Sequence, residues 1–217
     1  MVLLNNTGGL KYHLRAFWHR KRWRPFCEFV EIWLNDWVKD LDLNKRQTLV
    51  LIGPNAGYTL SQSFISQFRN IIVIEPDPLA YAMFEARFHC GARLVRQDYF
   101  SLSDNPPNPE KLRGLFLAFP NSVFLFCNVL GQLPVILREK KGVNVEDYMR
   151  RLAKVLHEEI KHHCMASYHD RYSRNLKKPN EFIDHLTGEL FTDVKDKKEF
   201  PWRLTRLEEH QIEFVRS

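Results

Sequence analysis

The chain has 217 residues, of which 44% are hydrophobic, and it carries a net charge of +6. That length and composition suit one globular domain with a substantial core and exclude a disordered or repetitive chain. There is no apolar run of 18 or more residues and no secretory leader, so we expect a soluble cytoplasmic protein without a membrane partner. The four cysteines are far apart and form no CxxC pair, which predicts neither a metal site nor a disulfide framework.

The first 24 residues hold the whole positive excess. Six basic residues precede the first acidic one, Glu28, and the rest of the chain is balanced: Lys11, Arg15, Arg20, Lys21, Arg22 and Arg24. Aromatic residues lie among them: Tyr12, Phe17, Trp18 and Trp23. Such a segment can clamp phosphates and stack bases, so a nucleic-acid surface at Lys11–Arg24 is one interpretation. We favour the other, a lid or oligomer contact that packs the aromatic rings and leaves the arginines in water, because no RNA-binding motif accompanies the segment. We therefore divide the chain into a segment 1–24 and a domain 25–217.

Pro25 is expected to begin an amphipathic helix, because proline suits the first helical turn. Apolar residues follow at three- and four-residue steps: Phe26, Phe29, Val30, Trp33, Leu34, Trp37, Val38 and Leu41. A stripe of this kind is far more often core than a catalytic pocket. We expect this helix to pack on a sheet.

A strand, a glycine turn, a helix and a second strand come next. Thr48–Ile52 is followed by the turn GPNAGY, and Ile71–Glu75 ends in a carboxylate. The gap from Gly53 to Glu75 is close to the roughly 20 residues that separate the glycine turn from the ribose-binding carboxylate in dinucleotide folds. The turn is not GxGxxG, and Pro54 removes one N–H donor, which disfavours a pyrophosphate. The pattern therefore favours a nucleoside without one, with Asp77 as the cap of the following helix.

Strands and helices continue to alternate, which predicts a parallel sheet covered on both faces. Further strands are expected at Arg93–Arg96, Val123–Cys127 and Cys164–Tyr168, and helices at Thr59–Phe68, Leu79–His89, Leu133–Glu139 and Val145–His162. Asp104–Pro109 is predicted to be a surface loop. The tail Arg203–Ser217 contains HQIEFV, which can supply an antiparallel strand.

In order and spacing these features resemble the class I S-adenosylmethionine-dependent methyltransferases, over roughly Thr48 to Tyr168. The resemblance implies an α/β, Rossmann-like three-layer sandwich that ends in a C-terminal antiparallel strand, with S-adenosylmethionine as cofactor. It places the cofactor-binding residues at Gly53, Pro54, Gly57, Glu75, Asp77, Asp98, Tyr99 and Asn128. Asp98 would bond the adenine amino group beside Tyr99, and Asn128, Gly131 and Gln132 would face the reactive end of the cofactor. Taken singly, Glu75 is also a helix-capping carboxylate, and Asp98 and Asn128 are also ordinary turn formers.

Two polar groups near the end of the fifth strand are candidates to face a methyl acceptor. His169 and Asp170 are neighbours in sequence, and a histidine beside a carboxylate can take a proton from a nucleophile. Asp184 and His185 follow on a later segment. Asn128 can position an amino or hydroxyl group, but Val129 follows it in place of the Pro-Pro-aromatic sequence of many amino-group methyltransferases. That difference argues against planar exocyclic amines as acceptors.

Three functional hypotheses follow from the sequence. The first is a methyltransferase that acts on a small molecule or another N or O nucleophile. The second is an RNA-binding or RNA-modifying protein that uses its basic N-terminal segment. The third is a noncatalytic relative, for which Pro54 and Asn55 in the glycine turn are the best support. A pocket filled by Tyr58 would favour the third hypothesis.

Overall fold

The computed structural model describes residues 9–42, 47–178, 180–186, 188–192 and 194–217, with side chains from residue 12 onward. Its centre is an eight-stranded sheet with the strand order β3-β2-β1-β4-β5-β8-β7, and β6 pairs with β5 beside this path. The strands are β1 Thr48–Ile52, β2 Asn70–Ile74, β3 Arg93–Val95, β4 Val123–Cys127, β5 Met165–Asn175, β6 Phe182–Asp184, β7 Asp196–Arg203 and β8 Glu208–Arg216. Strands β1 to β5 are parallel, and β6, β7 and β8 are antiparallel to their neighbours.

Helices cover both faces of the sheet, which confirms the predicted three-layer α/β architecture. They are α1 Gly9–Asp40, α2 Gln62–Ile65, α3 Pro78–Phe88, α4 Arg113–Ala118, α5 Val129–Arg138 and α6 Val145–Glu159, with a short 3-10 helix at Pro109–Leu112 before α4. One apolar core joins α1, α2 and α3 to the sheet, and the other joins α4, α5 and α6 to its opposite face. Strands β1 and β4 are buried from both sides, as expected for the centre of a parallel sheet.

Helix α1 corrects the prediction that a helix begins at Pro25. The helix is continuous from Gly9 to Asp40, and Pro25 lies inside it. The predicted apolar stripe is confirmed, because Phe26, Trp33 and Trp37 are buried against the sheet. The burial continues into the basic segment, where the indole Nε1 of Trp23 donates a hydrogen bond of 2.9 Å to the carbonyl of Leu204. The helix α1 runs across residue 24 without a break. The division of the chain at that residue stays a prediction.

None of the described helices is long and apolar enough to cross a membrane. Among the described residues no disulfide joins the four cysteines; Cys127 is buried, and Cys27, Cys90 and Cys164 are partly exposed. Burial raises the pKa of Cys127 to about 12, so its thiol stays protonated at neutral pH.

Candidate functional site

The glycine turn after β1 is held tightly between helices. Gly53 and Gly57 both have φ near +65°, a conformation that favours glycine. A Cβ on Gly53 would lie 2.8 Å from the Cβ of Val129, and a Cβ on Gly57 would overlap the ring of Phe88. Both glycines are therefore required for close packing on α5 and α3. The position between them, Asn55, also has positive φ, and its side-chain Oδ1 accepts the N–H of Ala56 at 2.7 Å.

The carboxylate of Glu75 lies directly against this turn. Its Oε2 accepts the backbone N–H of Asn55 at 2.9 Å, and its Oε1 accepts the N–H of Asp77 at 3.1 Å. The hydrogen bond from Asn55 joins the carboxylate to the turn and leaves no room for a sugar between them. A ribose has to approach Glu75 from the side away from Asn55. Asp77 accepts the N–H of Leu79 and caps α3, as predicted.

Glu75 nevertheless has the capacity to bind a diol. A carboxylate offers about four lone-pair sites, and the two backbone donors use two of them. The residue is only 6% exposed, and among the described residues none forms an ion pair with it. Burial raises the pKa of Glu75 to about 7, in spite of the two backbone hydrogen bonds. Two hydroxyl donors from a ribose would stabilise the charged form of this buried carboxylate. The residues present therefore fit the nucleoside that the spacing of the turn and the strand predicts.

Asp98 and Tyr99 line a cavity beyond the end of β3. The cavity has a volume of about 480 Å³, and its lining residues are Gln97, Asp98, Tyr99, Ser103, Lys111 and Gly114. Asp98 is half-buried, and its Oδ2 accepts both the backbone N–H of Ser103 at 2.6 Å and its hydroxyl at 2.8 Å. Tyr99 is buried. The predicted adenine-contacting residues therefore share one cavity, in which Asp98 already binds its own loop.

A polar cluster joins the end of β4 to the middle of β5. Asp170 is buried, and its Oδ2 accepts hydrogen bonds from Asn128 Nδ2 at 3.0 Å and from Gln132 Nε2 at 2.7 Å. Asn128, in the left-handed conformation, accepts the N–H of Asp170 in return at 2.8 Å. The cluster is completed from β8, because His210 Nδ1 lies 2.8 Å from the Oδ1 of Asp170. Asn128 and Gln132 therefore hold Asp170 in place.

Asp170 and His210 shift each other's pKa in opposite directions. Burial would raise the pKa of Asp170, but the His210 imidazolium and the hydrogen bonds outweigh burial and lower it. Burial alone would likewise lower the pKa of His210, but Asp170 outweighs burial and raises it above its usual value. The His210 side chain is 13% exposed, so this ring reaches the surface of the cluster. An oriented histidine beside a carboxylate is a group that can accept a proton.

His169 lies elsewhere, and the expected pairing of His169 with Asp170 is wrong. Successive residues of a strand point to opposite faces of the sheet, so the two side chains diverge. His169 Nδ1 lies 2.8 Å from Ser167 Oγ, and its Nε2 lies 3.4 Å from Glu213 Oε1. Glu213 also pairs with Lys197 at 2.9 Å. His169 is fully buried, so its ring is not accessible from the surface.

The two later candidates take different positions. Asp184 pairs with Arg171 at 3.3 Å and accepts the N–H of Leu186. His185 stacks on His210, with ring centroids 5.9 Å apart, and its Nε2 lies 2.8 Å from Ser173 Oγ. Its buried Nδ1 has no hydrogen-bond partner within the part of the chain that the structure describes. Of this pair, only His185 joins the polar cluster.

Sequence reasoning did not single out His210 as a site residue. Its sequence signal is weak, since it is the first residue of HQIEFV, which predicts only a strand. The antiparallel pairing of β8 on β5 sets His210 opposite Ser173 and within reach of Asp170. The sequence of β8 does not specify its register on β5, so it does not indicate that His210 pairs with Asp170.

Helix α1 covers the side of the glycine turn. His13 Nδ1 lies 2.8 Å from the hydroxyl of Tyr58, and the Tyr12 ring lies 6.1 Å from the Tyr58 ring. Trp23 packs against Tyr58 as well, at 6.3 Å between centroids. Tyr58 is thus held against α1 and is half-buried. No group of three or more metal-binding side chains is found among residues 12–42, 47–178, 180–186, 188–192 and 194–217.

Gly131 sets the distance between α5 and β5, which gives a stability prediction. A Cβ at this position would lie 2.6 Å from the carbonyl oxygen of Asp170 and 2.8 Å from its backbone nitrogen. These are backbone atoms of a strand, which cannot move aside as the end of a flexible side chain can. Gly131→Ala is expected to lower the free energy of unfolding by about 2 kcal/mol, measured by urea denaturation. Gly114→Ala is the matched control, because its Cβ would meet only the Tyr99 ring at 3.9 Å. The control should gain about 0.5 to 1 kcal/mol. Equal stability of the two variants would contradict the account.

No protein-family model and no curated sequence match this chain. Solved structures do match it. Magnesium protoporphyrin IX methyltransferase (ChlM) from Synechocystis PCC 6803 with bound S-adenosylhomocysteine has a TM-score of 0.52 at 13% identity, and the match covers 93% of this chain and 87% of that one. N-methyltransferase NodS from Bradyrhizobium japonicum WM9 has a TM-score of 0.42 at 10% identity over 85% and 93%. The chain has the class I S-adenosylmethionine-dependent methyltransferase fold, as its sequence resemblance predicts.

Proposed function

We propose that the protein is an S-adenosylmethionine-dependent methyltransferase that acts on an N or O nucleophile. The observation that carries this proposal is the pair formed by Asp170 and His210, at 2.8 Å, beside the edge of the sheet where β1, β2 and β4 end. Ligands of open α/β sheets bind at this edge. The fold and the carboxylate of Glu75 support a nucleoside cofactor beside the pair.

The residues would divide the work as follows. Glu75 would accept the ribose hydroxyls, and Asp98 and Tyr99 would line the adenine site. When bound, the cofactor supplies a methyl group on a positively charged sulfur, which leaves as a neutral thioether. The protein therefore needs only to orient the nucleophile and to remove its proton.

His210 is the group that we assign to proton removal. Its Nδ1 is held by Asp170, which leaves Nε2 as the nitrogen that can accept a proton from the nucleophile. Asp170 would then stabilise the imidazolium by its negative charge, while Asn128 and Gln132 keep the carboxylate in position. Asp170, Asn128 and Gln132 are positioning residues in this scheme, and His210 is the catalytic one.

One observation favours a second candidate, a noncatalytic relative of the family. The N–H of Asn55, at the point of the turn where a ligand would approach, is already bonded to Glu75. In this candidate the turn and the carboxylate bind each other permanently, and the fold serves protein contacts. The two candidates differ in whether the native protein binds the cofactor at all.

Titration with S-adenosylmethionine and S-adenosylhomocysteine tests the proposed function. A ligand that binds only the folded state must raise its stability, by about 2.7 kcal/mol at about 100 times its Kd. For a chain of this length we expect the melting temperature to rise by about 5 to 10 °C. Calorimetry should give saturable binding of both ligands, with adenosine triphosphate as a control that does not bind. Absence of heat and of thermal shift with either ligand would favour the noncatalytic candidate.

A further inference from the structure

The outer face of α1 exposes apolar side chains among cations. Phe17 is 66% and Trp18 is 73% exposed, and Leu14 lies one turn earlier on the same face. Arg20 lies over the Phe17 ring at 5.8 Å, and Lys21 is exposed one turn after Phe17 and Trp18. We call this surface, formed by Leu14, Phe17, Trp18, Arg20, Lys21 and Arg206, the α1 outer patch.

The aromatic residues of the segment fall into two sets. Tyr12 and Trp23 pack against the body of the protein, as a lid would, but Phe17 and Trp18 do not. The cations divide in the same way. Arg22 donates to the carbonyl of Thr205, and Arg24 pairs with Glu28. Arg20 and Lys21 form no ion pair among the described residues, so they are available to an anion.

A residue from the other end of the chain extends the patch. Arg22 donates a hydrogen bond of 3.0 Å to the carbonyl of Thr205, which places the next residue, the exposed Arg206 in the turn between β7 and β8, beside this part of α1. Burial lowers the pKa of His19, and Arg22, Arg15 and Arg206 lower it further. Positive potential is therefore concentrated here in three dimensions, although Glu208 lies at the edge of the patch, 4.0 Å from Arg15.

We infer that the α1 outer patch binds single-stranded nucleic acid. Cations that track a phosphate backbone, combined with exposed rings on which bases stack, are the two features of such surfaces. The patch interleaves these features, and the sequence pI of about 9.2 agrees with an anionic partner. A helix that lies in a membrane surface instead buries a continuous apolar face. The continuous apolar face of α1 is already used against the sheet.

This inference goes beyond the proposed function and does not depend on it. None of the patch residues belongs to the cofactor or proton-transfer groups named above. Failure to bind S-adenosylmethionine would leave the patch proposal intact, and failure to bind nucleic acid would leave the methyltransferase proposal intact.

Fluorescence anisotropy with a labelled single-stranded RNA of about 15 nucleotides tests the inference. With Arg20, Lys21 and Arg206 each neutralising a phosphate, raising salt from about 50 to about 200 mM should weaken binding about twentyfold. Arg20→Glu/Lys21→Glu should weaken it at least about tenfold, and Trp18→Ala at least about fivefold. The matched control is Lys154→Glu/Lys161→Glu, two exposed lysines associated with α6 on the opposite face of the sheet, which should leave the affinity unchanged.

Three results would overturn the inference. They are absence of RNA binding, binding that is insensitive to salt, and equal losses of RNA affinity in the patch and control variants. Equal affinity for duplex and single-stranded RNA, with no loss in Trp18→Ala, would show that stacking plays no part. Binding to anionic phospholipid vesicles without binding to RNA would assign the patch to a membrane surface. All the substituted side chains are exposed, so circular dichroism should show an unchanged fold in each variant.

Discussion

Replacement of Glu75 by glutamine is expected to weaken the binding of S-adenosylmethionine by more than tenfold at about pH 8. The charged carboxylate can accept two hydroxyl hydrogen bonds beyond those from Asn55 and Asp77, and bonds to a charged acceptor contribute about 1.5 to 3 kcal/mol each. A neutral amide turns one acceptor oxygen into a donor nitrogen, so it cannot receive the same set of bonds. Isothermal calorimetry on the purified variant measures the loss.

The pH dependence of binding gives a second readout of the same carboxylate. Burial raises the pKa of Glu75 to about 7, and a diol prefers the ionised form. The wild-type Kd should therefore increase about thirtyfold between about pH 8 and about pH 5.5. In Glu75→Gln the Kd should be nearly constant over that range, because no ionisable group remains at this position.

Glu85→Gln is the matched control for Glu75. This carboxylate also accepts a backbone N–H, that of Ala92 at 2.8 Å, but it lies on α3 rather than at the end of a strand. It should leave both the affinity and its pH profile unchanged. Unaltered affinity in Glu75→Gln, with the fold intact by circular dichroism, would remove Glu75 from the cofactor site.

The centre of the fold could be predicted from sequence because its strands are buried on both faces. The strands β1 and β4 were placed at their observed limits, since a continuous apolar run bounded by turn residues has few other interpretations. The strands at the edge of the sheet do not carry this signal. Strand β7 is an edge strand with charged and exposed residues, so it lacks the alternation that marks a strand. The strands β6 and β7 and helix α4 were not predicted.

Helix α1 shows how tertiary packing can override a local signal. Pro25 is a strong helix-start residue, yet residues Gly9 to Arg24 continue the helix on its N-terminal side. The buried contacts of Trp23 with Leu204 and Trp202 hold this extension on the body of the protein. Those partners lie about 180 residues away in sequence. A pattern read over one or two turns contains no information about them.

The candidate site could likewise be predicted only in part. Strand ends could be predicted to meet, and Asn128, Gln132 and Asp170 do form one cluster. Which histidine joins Asp170 could not be predicted, because neighbours in a strand point apart while residues on paired strands meet. The sequence neighbour His169 is buried on the other face, and His210 takes its place. The direct contact between Asn55 and Glu75 likewise depends on the conformation of the turn.

Replacement of His210 by glutamine is expected to lower the rate of methyl transfer by at least about 100-fold at saturating cofactor. Proton transfer by a positioned side chain contributes about 10² to 10⁴ in rate, and glutamine cannot accept a proton at neutral pH. Transfer of a labelled methyl group to candidate acceptors measures the effect. The Kd of S-adenosylmethionine should stay within about twofold, because a group that acts only in the chemical step does not bind the cofactor.

The pH profile distinguishes a proton acceptor from a residue with a structural role. Burial would lower the pKa of His210, but Asp170 outweighs burial and raises it, so in the wild type the rate at saturating cofactor should rise with pH around a pKa above the usual value for histidine. Asp170→Asn removes the partner charge and should move this rise to lower pH, whereas His210→Gln should abolish it. NMR titration of the His210 ring should show the same shift without any acceptor. Asp184→Asn is the control, since Asp184 pairs with Arg171 and should leave the His210 titration unchanged. If the rate falls in His210→Gln while its pH profile keeps the wild-type shape, another group takes the proton and His210 serves only to hold Asp170.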